Sequence, residues 1–439
     1  MTRFISIIIA IVILSILVII HEYGHFLLAR KNGIFVKEFS IGFGPRIVSK
    51  VAKSGTRFSW KAIPFGGSCT MLGALEDEDD DTDNERSFDK KSVWARMSVI
   101  LAGPFFNFLL AFILSVVYVA TMGYDPATVT SVTEGSSAYE AGLRTGDVIT
   151  NYGGTGISFG REIYVEDYIK PVSERKDGIK ISYKRDGETH KAVIYPEEST
   201  RYMLGISYTA SGDKAELTYV ADGSGAQSAG LKEGDVITAI NGNAIGSGLD
   251  MEQFFDEHPV TGEAVSVTYE RRGGSFDTVV TPAETTEYSA GFTYNLRNEK
   301  TDALGTLKYS FAELKYQIVT IYKSLGIMFS GKGSLDMLSG PVGIVEVVSD
   351  TYTASASHGF LATIMNLISI MTMLSANLGV LNLLPIPALD GGKFILLVIE
   401  AIIRKPVPKK IESIVTVIGA SLIFLLAMVV LVNDVIKLF

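Results

Sequence analysis

The chain has 439 residues, 47% of them hydrophobic, and a formal net charge of −9; its mean hydropathy is +0.28. An acidic chain is a poor partner for nucleic acid, and a lone cysteine, Cys69, excludes both an internal disulfide and a cysteine zinc site. The hydropathy is high for a soluble protein and low for one that is membrane throughout, so the roughly three domains expected from length divide between membrane and solvent.

Residues 4–29 are uncharged apart from one motif, lie between Arg3 and Arg30, and are long enough to cross a bilayer. The run is longer than a secretory h-region, and no small-x-small cleavage site follows, so it reads as a span. Inside it sits HEYGH, 21–25. On a helix His21 and His25 share a face one turn apart. That is the spacing of a His-Glu-x-x-His zinc site, with Glu22 beside it as general base. Ionisable groups inside a span are costly and mark function; a metal ion would offset them. His21 precedes Arg30 by nine residues, roughly 13 Å of helix, which places the site below the membrane surface.

Residues 31–96 follow as an insert. RIVSKVAKSGTRFSWKAIPFGG reads as a β-hairpin: Phe58, Trp60 and Ala62 alternate with Arg57, Ser59 and Lys61, and Lys53-Ser54-Gly55 supplies the turn. Its apolar face suits lipid or a small soluble sheet, and the pattern leaves both open. EDEDDDTD, 76–83, places seven acids in eight positions; it repels itself and reads as a solvated loop, without the glycine and ligand spacing of a calcium loop.

A second span covers 97–123. The region 124–300 then contains a repeat: GSSAYEAGLRTGDVIT from Gly135 and GSGAQSAGLKEGDVIT from Gly223 match at 11 of 16 positions with an offset of 88. That period is too long for a solenoid unit, so two tandem domains are expected, 124–211 and 212–300. Residues 304–330 read as an amphipathic helix, lying on the membrane surface or packed as a linker, within a segment 301–358.

The third span, 359–400, carries NLLPIPALDGG. Pro385 and Pro387 break the helix, and Gly391-Gly392 let the chain turn, so that Asp390 could reach a metal. A catalytic zinc ion needs three protein ligands. Spacing leaves Asp390 open between that role and a plain helix cap, and a zinc protease of another kind would draw on Glu400 or Glu412. The fourth span, within 401–439, lies between Glu412 and Asp434. Arg30, Lys31 and Lys37 after the first span, and Arg404, Lys405, Lys409 and Lys410 before the fourth, place both regions in the cytoplasm. Residues 124–300 and both termini are then outside.

HEYGH, LDGG and the GLxxGD repeats, with GFGP, IPFGG, LAGPFFNF, LSGPVGI and NLLPIPALDGG, together resemble the site-2 protease family over nearly the whole chain. The likeness is to bacterial RIP zinc metalloproteases of the RseP type. The resemblance implies that His21, His25 and Asp390 bind Zn2+, that Glu22 is the catalytic acid/base, and that Asn382 helps hold substrate. It implies two PDZ-like domains, a membrane-reentrant hairpin near 46–63, and substrates that are single-pass membrane proteins first cut outside, such as anti-sigma factors or remnant signal peptides, in the bacterial cell membrane. A membrane scaffold with a decayed site is the competing reading, and the intact set of four chemical residues weighs against it. The expected fold is an α-helical polytopic membrane protein of about four transmembrane helices, with a membrane-associated β-hairpin and two α+β PDZ-like domains.

Overall fold

The computed structural model describes residues 2–74, 84–209, 213–331, 340–356 and 359–437; the acidic run 76–83 lies outside them. The first helix, α1 (Thr2–Lys31), is followed by strands β1 (Val36–Val51) and β2 (Arg57–Met71) and by α2 (Val93–Met122). Ser92 caps α2 by accepting from the Ala95 amide at 3.3 Å, so the helix starts four residues before the uncharged run does.

The next elements occur twice. The first set is β3 (Val129–Val132), α3 (Ser137–Glu140), β4 (Val148–Tyr152), β5 (Thr155–Gly156), α4 (Gly160–Ile169), β6 (Ile179–Arg185), β7 (Glu188–Ile194), β8 (Glu197–Met203) and β9 (Ile206–Tyr208). The second set is β10 (Ala215–Val220), α5 (Gly225–Ser228), β11 (Val236–Ile240), β12 (Asn243–Ala244), α6 (Gly248–Glu257), β13 (Val265–Arg271), β14 (Gly274–Val280), β15 (Ala283–Ser289) and β16 (Phe292–Tyr294). The chain returns to long helices with α7 (Ala303–Phe329), α8 (Pro341–Ala356), α9 (Phe360–Asn382), α10 (Asp390–Ile403) and α11 (Lys409–Lys437). Two compact units result: Met1–Pro126 with Leu296–Phe439, and Ala127–Asn295.

In the helical unit, four of the described helices are long and apolar enough to cross a membrane: Ile5–Lys31, Val93–Met122, Phe360–Asn382 and Lys410–Asp434. The third span is shorter than the uncharged run. It stops at Asn382, because Pro385 and Pro387 cannot continue it, and α10 begins separately at Asp390. Gly391 and Gly392 let α10 start tight against that loop: a Cβ on Gly391 would lie 2.3 Å from the Leu383 carbonyl oxygen, and one on Gly392 2.4 Å from that of Ile386. Helices in lipid gain little from apolar burial and associate through small residues and polar contacts. Ala10, Ala29, Ala111, Ala376, Ser115 and Ser375 are accordingly almost fully buried, and Ser375 Oγ donates to the Asn107 carbonyl at 2.8 Å, tying α9 to α2.

The hairpin is longer than its sequence pattern and curls on itself. Residues 57–60 pair with 48–51 on one side and lie beside 38–41 on the other, while 67–71 pairs with 36–41. Gly55 turns the hairpin with a φ of +86°. Glu38, Ser40 and Ser59 face inward. Glu38 accepts from Arg46 Nε at 2.7 Å and Ser59 Oγ at 2.5 Å, and its carboxyl is lowered to about 2, first by the Arg46 hydrogen bonds. Phe43, Ile47, Val48, Val51, Trp60 and Ile63 are each more than half exposed.

The repeat unit is not cut at 211/212. β9 leaves the first repeat to pair with β10 of the second, and β16 returns to pair with β3 of the first. Leu204 and Ile206 pack in the second core, and Phe292 in the first. β8 and β15 pair antiparallel with Thr200 opposite Thr286, its own counterpart, so a local twofold passes between them. The motif aspartates are structural. Asp147 accepts from the Arg144 amide at 2.8 Å and from Arg185 at 2.8 and 2.7 Å; Asp235 accepts from the Lys232 amide at 2.7 Å and from Arg271 at 2.6 Å twice. Side chains such as Ile149, Ile179, Ile181, Ile194 and Ile237 are buried to within 2%, each worth about 1.5–3 kcal/mol.

Candidate metal centre and active site

α1 presents His21 and His25 on one face, with relative exposures of 7% and 6%. Their rings meet edge to face, centroids 4.8 Å apart. α10 begins with Asp390, whose Oδ2 lies 3.1 Å from His21 Nε2 and 3.2 Å from His25 Nε2. The two Nε2 atoms are 3.2 Å apart. Three ligand atoms from residues as far apart in sequence as 21 and 390 thus form a nearly equilateral triangle.

The donor set fits a zinc ion. Zinc with ligands at 2.0–2.2 Å in tetrahedral geometry holds neighbouring ligand atoms about 3.3 Å apart. Asp390 Oδ2 is buried without a well-directed hydrogen bond despite its two near histidines, as expected when three lone pairs converge on one point rather than on each other's protons. Among the described residues this is the grouping of His, Cys, Asp or Glu that could hold a metal.

α2 supplies what orients the histidines. His25 Nδ1 lies 2.8 Å from the Val99 carbonyl oxygen, which can only accept, so the Nδ1 proton is held there and Nε2 is left with its lone pair. Asn107 is fully buried, and its amide end is 3.0 Å from His21 Nδ1. For Nε2 of His21 to bind a metal, Nδ1 must donate, so the carboxamide oxygen faces it. That amide orientation also gives the buried Asn107 Oδ1 the partner it otherwise lacks. Gly103 completes the support. A Cβ there would sit 2.4 Å from His25 Nε2 and 2.7 Å from His21 Nε2, so α2 can approach the ligand atoms only as bare backbone.

Glu22 is within Coulombic reach of His21, His25 and Asp390, and the Cys69 backbone hydrogen-bonds its carboxylate. The β2 segment around Gly67 therefore runs alongside it: a Cβ on Gly67 would be 3.5 Å from Glu22 Cγ. Asn382 ends α9, and its Nδ2 donates to the Leu378 carbonyl at 2.9 Å within its own helix. Glu400 is engaged by Arg96, which leaves Asp390 as the carboxylate brought to the histidines. Asn107, Val99 and Gly103 were not singled out from sequence. The signal for Asn107 was there, a strongly polar residue inside an uncharged span. A backbone carbonyl such as that of Val99 carries none.

The model of peptidase family M50 matches residues 9–426. The regulator of sigma E protease of Haemophilus influenzae is 32% identical over 98% of both chains. The zinc metalloprotease RasP of Shouchella clausii is 30% identical, also over 98% of both. A crystallised HtrA3 PDZ domain is similar over 20% of this chain and 92% of its own, at 18% identity and a TM-score of 0.18. With a His-His-Asp metal triangle, an adjacent glutamate and relatives matched from end to end, the chain belongs to peptidase family M50, the site-2 protease family, and is a zinc metalloendopeptidase.

Proposed function

We propose that this protease cuts single-pass membrane proteins within or near their membrane segment, after a first cut outside has removed most of the outer domain. The observation that carries the reading is that His21, Glu22 and His25 lie inside a helix of spanning length and composition, where Asp390 closes a triangle of ligand atoms that could hold a metal. Regulated intramembrane proteolysis is the general activity of the family; anti-sigma factors and remnant signal peptides are the substrate classes proposed here.

His21, His25 and Asp390 would hold the zinc. When bound, the ion supplies Lewis acidity at the scissile carbonyl and acidifies water there. Glu22 takes the proton of the attacking water and passes it to the leaving amine, so that one water and one peptide bond become a carboxylic acid and an amine. A helical substrate must first unwind, and each unpaired backbone group in lipid costs several kcal/mol. The strand segment 67–71, beside Glu22, supports strand addition as the compensation. Asn382 would add a side-chain hydrogen bond. A cleft between α8, α9 and the helix that carries HEYGH, lined by Leu14, Val18, Ile344, Ile370, Asn377 and Leu381, suits an apolar chain. The hairpin's outward Ile47, Val48 and Trp60 support insertion of its tip into lipid.

Basic residues flanking the first and fourth spans support a cytoplasmic placement for the zinc end and an outside placement for 127–295. The two PDZ-like repeats then act as a size filter that excludes substrates with an intact outer domain. The test is cleavage of a trimmed and an untrimmed single-pass substrate in membranes, with zinc content measured. Wild type should cut only the trimmed one, Glu22→Gln should keep zinc and lose cutting, and Asp390→Ala should lose both. Cutting by Glu22→Gln would end the protease assignment of that residue.

A further inference from the structure

Arg96, in the first turn of α2, meets Glu400, in the last turn of α10, inside the helical unit. Nη1 donates to Oε2 at 3.1 Å, Nη2 donates to Oε1, and Nε donates to the Lys91 carbonyl at 3.2 Å. The two side chains are only 12% and 11% exposed. They lie beside Met97, Ile100 and Leu397, the apolar contact between the two helices. Replacing such a pair by apolar residues is often neutral or stabilising, so its presence argues for a specified arrangement more than for strength.

The arrangement it specifies is that of the metal ligands. α2 carries Val99, Gly103 and Asn107, which orient both histidines, and α10 carries Asp390 ten residues before Glu400, about 15 Å along the helix. The loop into α10 does not define the start of that helix by local preference. Ala388, two residues before Asp390, has a φ of +80°, a conformation a non-glycine residue keeps only when its surroundings hold it.

We propose that the Arg96–Glu400 pair is a positioning device for the third zinc ligand: it seats α10 against α2 so that Asp390 meets the histidines. This rests on the reading of His21, His25 and Asp390 as the zinc site. Other charged groups facing the pair are Lys393, Asp89 and Glu412, which line the same 280 Å³ crevice.

The test uses the full chain purified in detergent. Zinc release to a chelator and the visible spectrum of the Co2+-loaded protein are measured for wild type, E400Q, R96E and R96E/E400R. Positioning predicts that E400Q releases zinc at least tenfold faster and has an altered Co2+ spectrum, and that the charge-swapped double variant recovers toward wild type relative to R96E. Wild-type release and spectrum in E400Q, with only a lowered melting temperature, would overturn the proposal. If E400Q does not accumulate, the double variant against R96E decides: recovery supports positioning, and no recovery overturns it. D390A is run alongside; unchanged zinc there means that the metal-site reading has failed, separately from this one.

Discussion

Asn107 is the residue whose replacement tests the site most directly. Replacing it with leucine, of similar size, leaves His21 Nδ1–H buried with no acceptor at 3.0 Å. A buried unsatisfied donor costs about 1–3 kcal/mol, and loss of a partner behind a metal-bound histidine typically weakens binding about 10–100-fold. The two magnitudes agree, since tenfold is about 1.4 kcal/mol. The leucine variant should therefore be half-emptied by a chelator at a free zinc concentration about 10–100-fold higher than wild type, with the apo protein still folded. Asn107→Asp offers only acceptors to Nδ1, the arrangement required with Nε2 on the metal, and should retain zinc far better than the leucine variant. Competition titration with a chromophoric chelator measures both. If the leucine variant binds zinc as wild type does, or if aspartate fares no better than leucine, the tautomer argument for His21 is wrong.

Gly103→Ala should abolish zinc binding, because its methyl would lie 2.4 Å from His25 Nε2; metal analysis of purified protein reads this directly. Glu22→Gln should reduce cleavage by about 10²–10⁴-fold, the span of general-base effects, while zinc content stays at the wild-type level. Glu38 titrates at about 2 in the hairpin against 4.5 ordinarily. Its folded value is depressed, so its contribution is complete above 4.5 and is lost as pH falls from there through about 2. Arg46→Ala should move that loss upward, seen as hydrogen exchange in 38–60 that rises at a higher pH. Finally, Tyr124 and Glu299 exchange both backbone hydrogen bonds, at 3.0 and 2.7 Å. Excising 127–295 with a short Gly-Ser linker should leave the helical unit folded and able to bind zinc, and loss of zinc binding on excision would contradict the independence of the two units.

Much of the site was legible in HEYGH, because a period of 3.6 residues forces His21 and His25 onto one face whatever surrounds them. The repeat was legible for the same kind of reason, since equal local sequence makes equal strands. The spans were legible from length and hydropathy, although helix ends were not: Ser92 starts α2 before the apolar run, and Pro385 stops α9 well before Asp390. The boundary between repeats failed because β9 and β16 are too short to reveal their partners. β9 pairs just across the expected boundary, Tyr208 with Leu217, while β16 returns to β3 over some 160 residues, Phe292 with Val132.

By itself, then, the sequence determined the chemistry available: two imidazoles one turn apart, a carboxylate beside them, and membrane-length helices to carry them. Local geometry and solvent preference suffice for that. Spacing left Asp390 open and only the resemblance pointed to it; tertiary structure brings Asp390, and neither Glu400 nor Glu412, beside the histidines, and sets Asn107 and the Val99 carbonyl of α2 against the two rings. It also decided that the hairpin turns Glu38, Ser40 and Ser59 inward. The contacts around the histidines depend on which helix packs against which, and contacts between residues some 70 to 370 positions apart leave no periodic trace along the chain.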